Sequence, residues 1–321
     1  MREAAFVKRN QERWQQFEKE LASRNQSPDK VAEIFIQITD DLSFAQTQYP
    51  NSRVTTYLNN LGSKIHLEIY KNKREDKNRF IAFWKVELPL LLFQHRKQLL
   101  YALLIFVVSA LLGAVSAQYD ETFVRLIMGD AYVNMTLENI ENGNPLAVYG
   151  KMGETDMFFA ITFNNIRVSF FAFVAGLLFS VGSGFLLFRN GVMVGAFLSL
   201  FYQKGLLLDS ALIIMLHGTI ELSSIVIAGA AGFVLGNSYL FPGTYSRLAS
   251  FKQGALNGMK IVIGIIPLFI LAGFIESFIT RYTFMPVLFK GIIIFLSAFL
   301  IIFYFVYYPY KLYKNGSIQT N

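Results

Sequence analysis

Long runs without a charged side chain are the feature that most limits what this chain can fold into. Residues 99–117 carry no formal charge, and a helix rising about 1.5 Å per residue over that length crosses a hydrocarbon core of roughly 30 Å. Residues 193–241 contain only Lys204, Asp209 and Glu221 as charged groups. Soluble cores do not supply such runs, and only 16% of the chain is charged. The sequence therefore predicts an integral membrane protein.

Six apolar segments predict an all-α, polytopic membrane protein with about six transmembrane helices. The segments are residues 99–117, 158–188, 191–203, 206–236, 260–280 and 287–308. The third segment is short enough to be either a short span or a re-entrant half-helix. A full span places more of the downstream Lys and Arg residues in the cytoplasm, so the positive-inside rule favours six spans with both termini cytoplasmic.

The first 97 residues predict a cytoplasmic helical domain in four pieces. Phe6, Trp14 and Phe17 form an apolar stripe on the first helix, and Ser27 with Pro28 marks the start of the second. The third helix covers residues 52–72, and the fourth segment, residues 76–97, is expected to lie at the inner membrane face. Residues 98–310 are then the transmembrane domain, with an external loop at 118–157 and a short cytoplasmic tail at 311–321.

The distribution of charge indicates which segments lie on which side. Residues 1–97 carry seventeen Lys or Arg and twelve Asp or Glu, whereas residues 119–157 carry two and seven. We therefore expect the first block in the cytoplasm and the second outside. The charged N-terminus has no apolar segment of the kind that a cleavable signal peptide needs. The bilayer is the expected partner, and the net charge of +7 does not indicate nucleic acid, because it follows topology.

Metal-ligating and catalytic signatures are scarce. Cysteine is absent, which removes disulfides, thiolate nucleophiles and Cys-based zinc or iron–sulfur sites. Three histidines are too few for a His-only metal cage. Walker A, GxGxxG, GxSxG and kinase motifs are missing. We therefore expect no cofactor, no metal and no catalytic residue of a known type.

The sharpest local signal lies in the fourth span, where His217 and Glu221 are four residues apart. This spacing places both side chains on one helix face, about 6 Å apart along the axis. A carboxylate near the bilayer centre costs about 2.5–3.5 kcal/mol, so the pair must face protein or water. Three interpretations stay open: polar glue between helices, a proton or ion pathway, and a metal or hydrolytic centre. The last is the weakest, because two ligands fall short of the three that a catalytic zinc needs.

Other polar and small residues interrupt the apolar segments. Arg189 is expected in the cytoplasmic turn after the second segment, whereas Arg167 either reaches the lipid headgroups or pairs with Glu276. The intramembrane polar candidates are His217, Glu221, Asn164, Asn165, Arg167, Asn190 and Glu276. Small residues at four-residue spacing let helix backbones approach closely. These helix-packing candidates are Gly191, Gly195, Ala228, Gly232 and Gly236.

Several motifs occur in a fixed order along the chain. The N-terminal part contains FVKRNQERWQQFE, DLSFAQTQYP and YLNNLGSKIHLEIY, and the membrane part contains FNNIRVSFFAFVAG, FRNGVMVGAF and HGTIELSSIVIAGAAG. Together they resemble the stage II sporulation protein M family of prokaryotic membrane proteins. The resemblance implies an inner-membrane protein that acts with partners, since the sporulation member is similar to a scaffold for cell-wall hydrolases. The long helical N-terminal domain departs from the compact sporulation form.

These observations lead to a ranked set of functions. We expect a non-enzymatic scaffold of a prokaryotic inner membrane that recruits membrane or cell-envelope proteins or forms a homo-oligomer. The alternative is a proton-linked transporter or channel that uses His217 and Glu221. A membrane-embedded hydrolase comes third.

Overall fold

Two kinds of apolar pattern give the chain two compact units. The computed structural model describes residues 2–22, 28–71, 79–143, 145, 153–281 and 285–319, and divides the chain into Met1–Arg79 and Phe80–Asn321. The described residues form helices and turns and contain no strand. The all-α prediction is confirmed, and six helices are long and apolar enough to cross a membrane.

The first unit consists of three helices, α1 (Glu3–Ala22), α2 (Pro28–Gln48) and α3 (Arg53–Lys71). Their apolar faces meet in one core, in which Ile38, Leu58 and Ile65 are fully buried. The stripe predicted on the first helix faces this core. The Trp14 indole donates a 2.7 Å hydrogen bond to Asp41 Oδ2, which satisfies its polar atom inside the bundle. The predicted cap at Ser27 lies outside the described residues.

The segment expected at the inner membrane face packs within the second unit. It forms α4 (Arg79–Ala82), a π-helical stretch (Phe83–Glu87) and α5 (Leu88–Gln94). Leu88 is fully buried against Gly264, and the Tyr304 hydroxyl donates a 2.7 Å hydrogen bond to the Trp84 carbonyl. Because these contacts tie the segment to later helices, the first compact unit ends at Arg79, whereas the sequence grouped residues 76–97 with the N-terminal domain.

The second unit contains the six candidate membrane helices and two short helices between the first two of them. In chain order its helices are α6 (Arg96–Tyr119), α7 (Glu121–Met128), α8 (Asp130–Glu141), α9 (Glu154–Val174) with a 3-10 extension (Ala175–Leu177), α10 (Val181–Gln203), α11 (Leu207–Leu240), α12 (Arg247–Phe274) with a π-helical end (Ile275–Thr280), α13 (Val287–Ile302), a π-helical stretch (Phe303–Tyr307) and α14 (Tyr308–Gln319). Helix α11 packs against each of the other five candidate spans.

The second and third spans meet at a different place from the predicted one. The chain turns at residues 178–180, so α10 begins at Val181 and is long enough to cross a membrane. Phe179 and Ser180 have positive φ values of 53° and 67°. Residues with side chains rarely adopt this conformation, and no Gly, Pro or Asn marks the turn, so the pattern of the sequence hides it. Arg189, predicted in a loop, therefore lies within α10 with its side chain exposed.

Small residues bring the helices around α11 to backbone contact. A Cβ added at Gly232 would lie 2.0 Å from Ser183 Oγ and 2.6 Å from the Ala172 carbonyl oxygen. The remaining packing candidates lie at similar contacts inside this chain, with Gly191 and Gly195 against α6, Gly236 against residues 176–180, and Ala228 fully buried. Close approach of this kind strengthens dispersion contacts where no hydrophobic effect drives association.

The end of the second unit that carries α7 and α8, which we term the loop end, has more structure than predicted. The sequence favoured a surface loop with one short helix near residues 123–128, whereas the described part of the segment contains two helices. Val124 and Val133 are buried against Ala196 and Leu200 of α10. Helices α7 and α8 therefore pack against α10 as part of the folded second unit.

Candidate functional site

Three titratable side chains meet inside the second unit near its loop end. His217 and Glu221 come from α11, and Glu276 comes from the π-helical end of α12; we call them the polar cluster. One ligand-type atom from each lies within 4.8 Å of the others. Two members share a face of α11 because they are four residues apart, and the packing of α11 against the end of α12 brings the third. His217 lies about 15 Å along α11 from its start.

The imidazole of His217 is held from both sides. Its Nδ1 atom lies 3.2 Å from Thr280 Oγ1, and the Thr280 hydroxyl donates a 3.2 Å hydrogen bond to the Ile275 carbonyl. On the other side, Nε2 lies 3.8 Å from Glu276 Oε1. The π-helical end of α12 thus supplies both a hydroxyl and a carboxyl group to one ring. The ring is buried, with its side chain 7% exposed.

Buried polar atoms without a hydrogen bond of standard geometry lie on α9 and on the π-helical end of α12, near this cluster in the fold. The carboxamide of Asn165 on α9 faces Glu221, yet its Nδ2 atom makes no hydrogen bond of standard geometry. Thr162 Oγ1 on α9 and Ser277 Oγ beside Glu276 are likewise buried and unsatisfied. Each such atom costs about 1–3 kcal/mol of desolvation unless a water molecule or another polar group binds it. The arrangement therefore suits a bound polar species.

Tyr132 of α8 approaches the cluster from the loop end. Its hydroxyl lies within electrostatic range of Glu276, and burial, followed by the negative charge of Glu276, raises the pKa of Tyr132 above its ordinary value. Helix α8 lies outside the candidate membrane helices. Helix α8 thus places a phenol within electrostatic range of the cluster.

Comparison with known proteins supplies a family for this architecture. The profile of the stage II sporulation protein M family matches residues 102–281, which is more than half of the chain. The chain belongs to this family. Residues 4–71 match a separate family described as a domain of unknown function, DUF8413. No curated protein and no solved structure matches the chain.

The region matched by the family profile includes the polar cluster. All of the polar cluster and Asn165 lie within the region shared with the stage II sporulation protein M family, whereas α13 lies beyond it. The second family match ends within α3 and falls inside the first compact unit. The chain thus joins a sporulation protein M membrane region to a helical unit with its own core.

The structure brings some of the predicted polar residues together and leaves others apart. His217, Glu221, Glu276 and Asn165 converge, but Asn164 is exposed on α9. The Asn190 carboxamide donates to the Leu186 carbonyl of its own helix, at 2.8 Å. These two side chains therefore serve their own helices and not the cluster.

Arg167 lies apart from Glu276, contrary to one of the two interpretations drawn from the sequence. Its guanidinium carbon lies 5.5 Å above the ring centroid of Phe171, and its side chain is exposed. The ionisable partner that the structure gives Glu276 is His217. A cation–π contact on the exposed face of α9 agrees with the alternative, an arginine that extends along the helix surface.

Sequence reasoning missed Thr280, Ser277, Thr162 and Tyr132. Three of the four lie in otherwise apolar helices, and single hydroxyl residues of that kind usually bond to their own backbone. A signal was available in IESFIT, where a Glu, a Ser and a Thr occur within five residues near the end of a span. The π-helical geometry that makes them converge leaves no recognisable pattern.

Proposed function

We propose that the protein is a scaffold of a prokaryotic inner membrane that holds partner proteins at the bilayer. The observation that carries this proposal is the division of the chain into two units, each with its own apolar core. Among the described residues of the first unit no metal-type cluster of His, Asp and Glu occurs. A small helical unit of this kind works through surface contacts, and the family membership supports a role in the membrane.

The first unit offers a specific surface for a partner. A groove of about 380 Å³ runs between α1 and α3, with Trp14, Gln15 and Tyr57 among its lining residues. Burial and the nearby carboxylate of Glu18, which accepts a hydrogen bond from the Tyr57 hydroxyl, raise the pKa of Tyr57, so its oxygen can accept a hydrogen bond from a partner at neutral pH. Aromatic side chains beside polar groups are common at protein interfaces. We propose this groove as the main contact site.

Co-purification of the full-length protein from native membranes tests the scaffold proposal. We expect stoichiometric partners or a homo-oligomer to be recovered after crosslinking, and Gln15→Arg to reduce the recovery because it fills the groove with a charged side chain. Gln16→Arg is the matched control, since Gln16 is exposed and hydrogen-bonded to Glu20 of its own helix. A monomeric, partner-free protein in native lipid would contradict the proposal.

The proposed sidedness rests on charge and can be measured by labelling. Because the chain has no cysteine, single-cysteine variants react at one place only. An impermeant maleimide should label Asn142→Cys in spheroplasts but neither Asn60→Cys nor Tyr245→Cys, which we place in the cytoplasm together with both termini. Labelling of Tyr245→Cys from outside would overturn the six-span topology.

A second candidate function, proton-linked transport or conduction, is supported by the polar cluster. Carboxyl groups buried near a histidine in a membrane are the usual components of proton relays. Liposomes containing a pH-sensitive dye should report a flux that Glu221→Gln removes, because an amide cannot take up and release a proton. The scaffold proposal alone predicts no flux under any gradient.

A further inference from the structure

Two carboxyl groups lie close together in the polar cluster, and their negative charges would repel each other. Glu221 and Glu276 come from different helices, and their oxygen atoms lie within 4.8 Å of each other and of a His217 nitrogen. An isolated carboxylate in an apolar surrounding is expensive, and two like charges in contact are worse. Protons or a cation must compensate them.

The hydrogen bonds around His217 decide which ring nitrogen carries a proton. The Thr280 hydroxyl donates its hydrogen to the Ile275 carbonyl, so towards His217 it can only accept. With this hydrogen-bond direction the neutral ring carries its proton on Nδ1, which leaves the lone pair on Nε2. This lone pair points to the side where Glu276 Oε1 lies 3.8 Å away. Two acceptors facing each other at that separation suit a positive ion between them.

Asn165 adds an independent observation that points to a ligand. It is 5% exposed, and its carboxamide faces the Glu221 carboxyl group with its Nδ2 atom outside standard hydrogen-bond geometry. The oxygen and nitrogen of a carboxamide are interchangeable by a rotation of the group, so the same position can present an oxygen to the cluster. An amide oxygen is a neutral ligand that a metal ion accepts readily. Asn165 thus supplies a fourth donor from a third helix.

We propose that His217, Glu221 and Glu276, with Asn165, bind one divalent transition-metal ion of the Zn²⁺ or Mn²⁺ class. One imidazole nitrogen with carboxylate oxygens is a borderline ligand set, which Mg²⁺ and Ca²⁺, with their preference for all-oxygen sites, match less well. The charges balance, because two carboxylates and a neutral imidazole carry the opposite charge to a divalent ion. The sequence made a metal the weakest interpretation because one helix offers two ligands, but the fold supplies the others.

The spacing of the donor atoms agrees with such an ion after small side-chain movements. Metal–ligand bonds of about 2.0–2.2 Å place neighbouring donor atoms of a tetrahedral site roughly 3.3–3.5 Å apart. The observed separations reach 4.8 Å, so the most distant donor atoms must approach each other by roughly 1.3–1.5 Å. The Glu276 side chain is 13% exposed, which provides an entry path. The hydrogen bond from His217 Nδ1 to Thr280 orients the ring, as a partner behind a metal-bound histidine does.

Metal analysis of the full-length protein tests this inference, and it does not depend on the scaffold proposal. The protein is purified in nanodiscs, stripped with a chelator, and titrated with Zn²⁺ and Mn²⁺ in competition with a chromophoric chelator. We expect one ion per chain. Glu221→Gln and Glu276→Gln should each weaken binding by at least about tenfold, since loss of even a supporting partner costs roughly 10–100-fold. Asn165→Asp should tighten binding, because it adds an anionic oxygen.

Asp209→Asn is the matched control, because Asp209 is an exposed carboxylate on the same helix outside the cluster. Its affinity should equal that of the wild type. All variants are compared by elution profile and thermal unfolding without metal, so that a folding defect is separated from a lost ligand. The inference is overturned if the wild type binds no ion at micromolar free metal, or if both glutamate variants bind as the wild type does.

Discussion

Two regions of α11 differ in the kind of contact that determines which residues they can contain. From Ser224 to Gly236 every residue is buried, and the glycines in this half touch neighbouring helices so closely that no side chain fits. From His217 to Glu221 the same helix carries titratable groups whose neighbours include polar atoms without hydrogen bonds. We call residues 224–236 the packed half, because close packing specifies them, and residues 217–221 the polar half, because their titratable groups specify them. A membrane helix can therefore hold a bundle together at one end and leave polar groups available at the other.

The largest expected effect lies in the packed half. Gly232→Leu should lower the free energy of unfolding by about 3 kcal/mol or more, because even a Cβ would lie 2.0 Å from Ser183 Oγ. Thermal unfolding in detergent measures this loss. The control is Gly291→Leu on α13, where no atom lies within 4 Å of an added Cβ. Equal melting temperatures for the two variants would show that close packing does not specify this half.

A smaller loss of stability is expected when the contact between His217 and Thr280 is removed. Thr280→Val removes the acceptor for His217 Nδ1 and should cost about 1–2 kcal/mol. In Thr219→Val, by contrast, the lost hydroxyl bonds only to the Met215 carbonyl of its own helix, so the cost should be smaller.

Nitrogen NMR of labelled histidine gives a second measurement of the same anchor. The chain has three histidines, which makes the His217 signals assignable by substitution. The wild type should show the tautomer with the proton on Nδ1, and Thr280→Val should shift the balance towards Nε2. A ring already protonated on Nε2 in the wild type would show that the Thr280 hydroxyl donates to His217 and not to Ile275.

An unsatisfied hydroxyl group on α9 should respond in the opposite sense to a satisfied one on α10, which contacts Gly232 of α11. Thr162→Val removes a buried hydroxyl with no partner and should stabilise the protein by up to about 1 kcal/mol. Ser183→Ala removes a hydroxyl that donates a 2.5 Å hydrogen bond to the Ala172 carbonyl, and should destabilise it by about 1 kcal/mol. Unfolding experiments that gave the same sign for both would remove this distinction between the halves.

The smallest effect is a change in the titration of Tyr132. Burial is the larger cause that raises its pKa, and the charge of Glu276 is the second. Glu276→Gln should therefore lower the pKa of Tyr132 without returning it to its ordinary value. Carbon NMR of labelled tyrosine across alkaline pH measures the shift. Asp130→Asn on the same helix should leave it unchanged, and an equal shift there would mean that Glu276 has no specific role.

The sequence was sufficient to predict the class of the protein and its family. The length of an apolar run and the order of the motifs can both be read directly from the residues. The all-α fold, the six spans and the family follow from runs such as residues 99–117 and from HGTIELSSIVIAGAAG. The start of α10 could not be predicted, because Phe179 and Ser180 adopt a positive φ that their identities do not favour. Tertiary contacts stabilise this turn, and a one-dimensional pattern does not contain them.

The candidate site was only half visible in the sequence. His217 and Glu221 share one helix, so their spacing alone places them together. Glu276 is 55 positions further on and Asn165 is 52 positions before His217, so helix packing alone joins them to the pair. Each of these residues was a candidate by type, but nothing in the spacing selected them over Asn164 or Asn190. Convergence in space depends on which helices are neighbours.

The π-helical end of α12 gives the site a dependence on chain length. A π-helical segment holds one residue more than an α-helix of the same number of turns, and each residue of an α-helix turns the chain by about 100°. Deleting a single residue such as Phe278 would restore regular winding and rotate Thr280 away from the ring that Glu276 also faces. In genetic terms, one in-frame codon decides whether this helix end presents two groups to His217 or one.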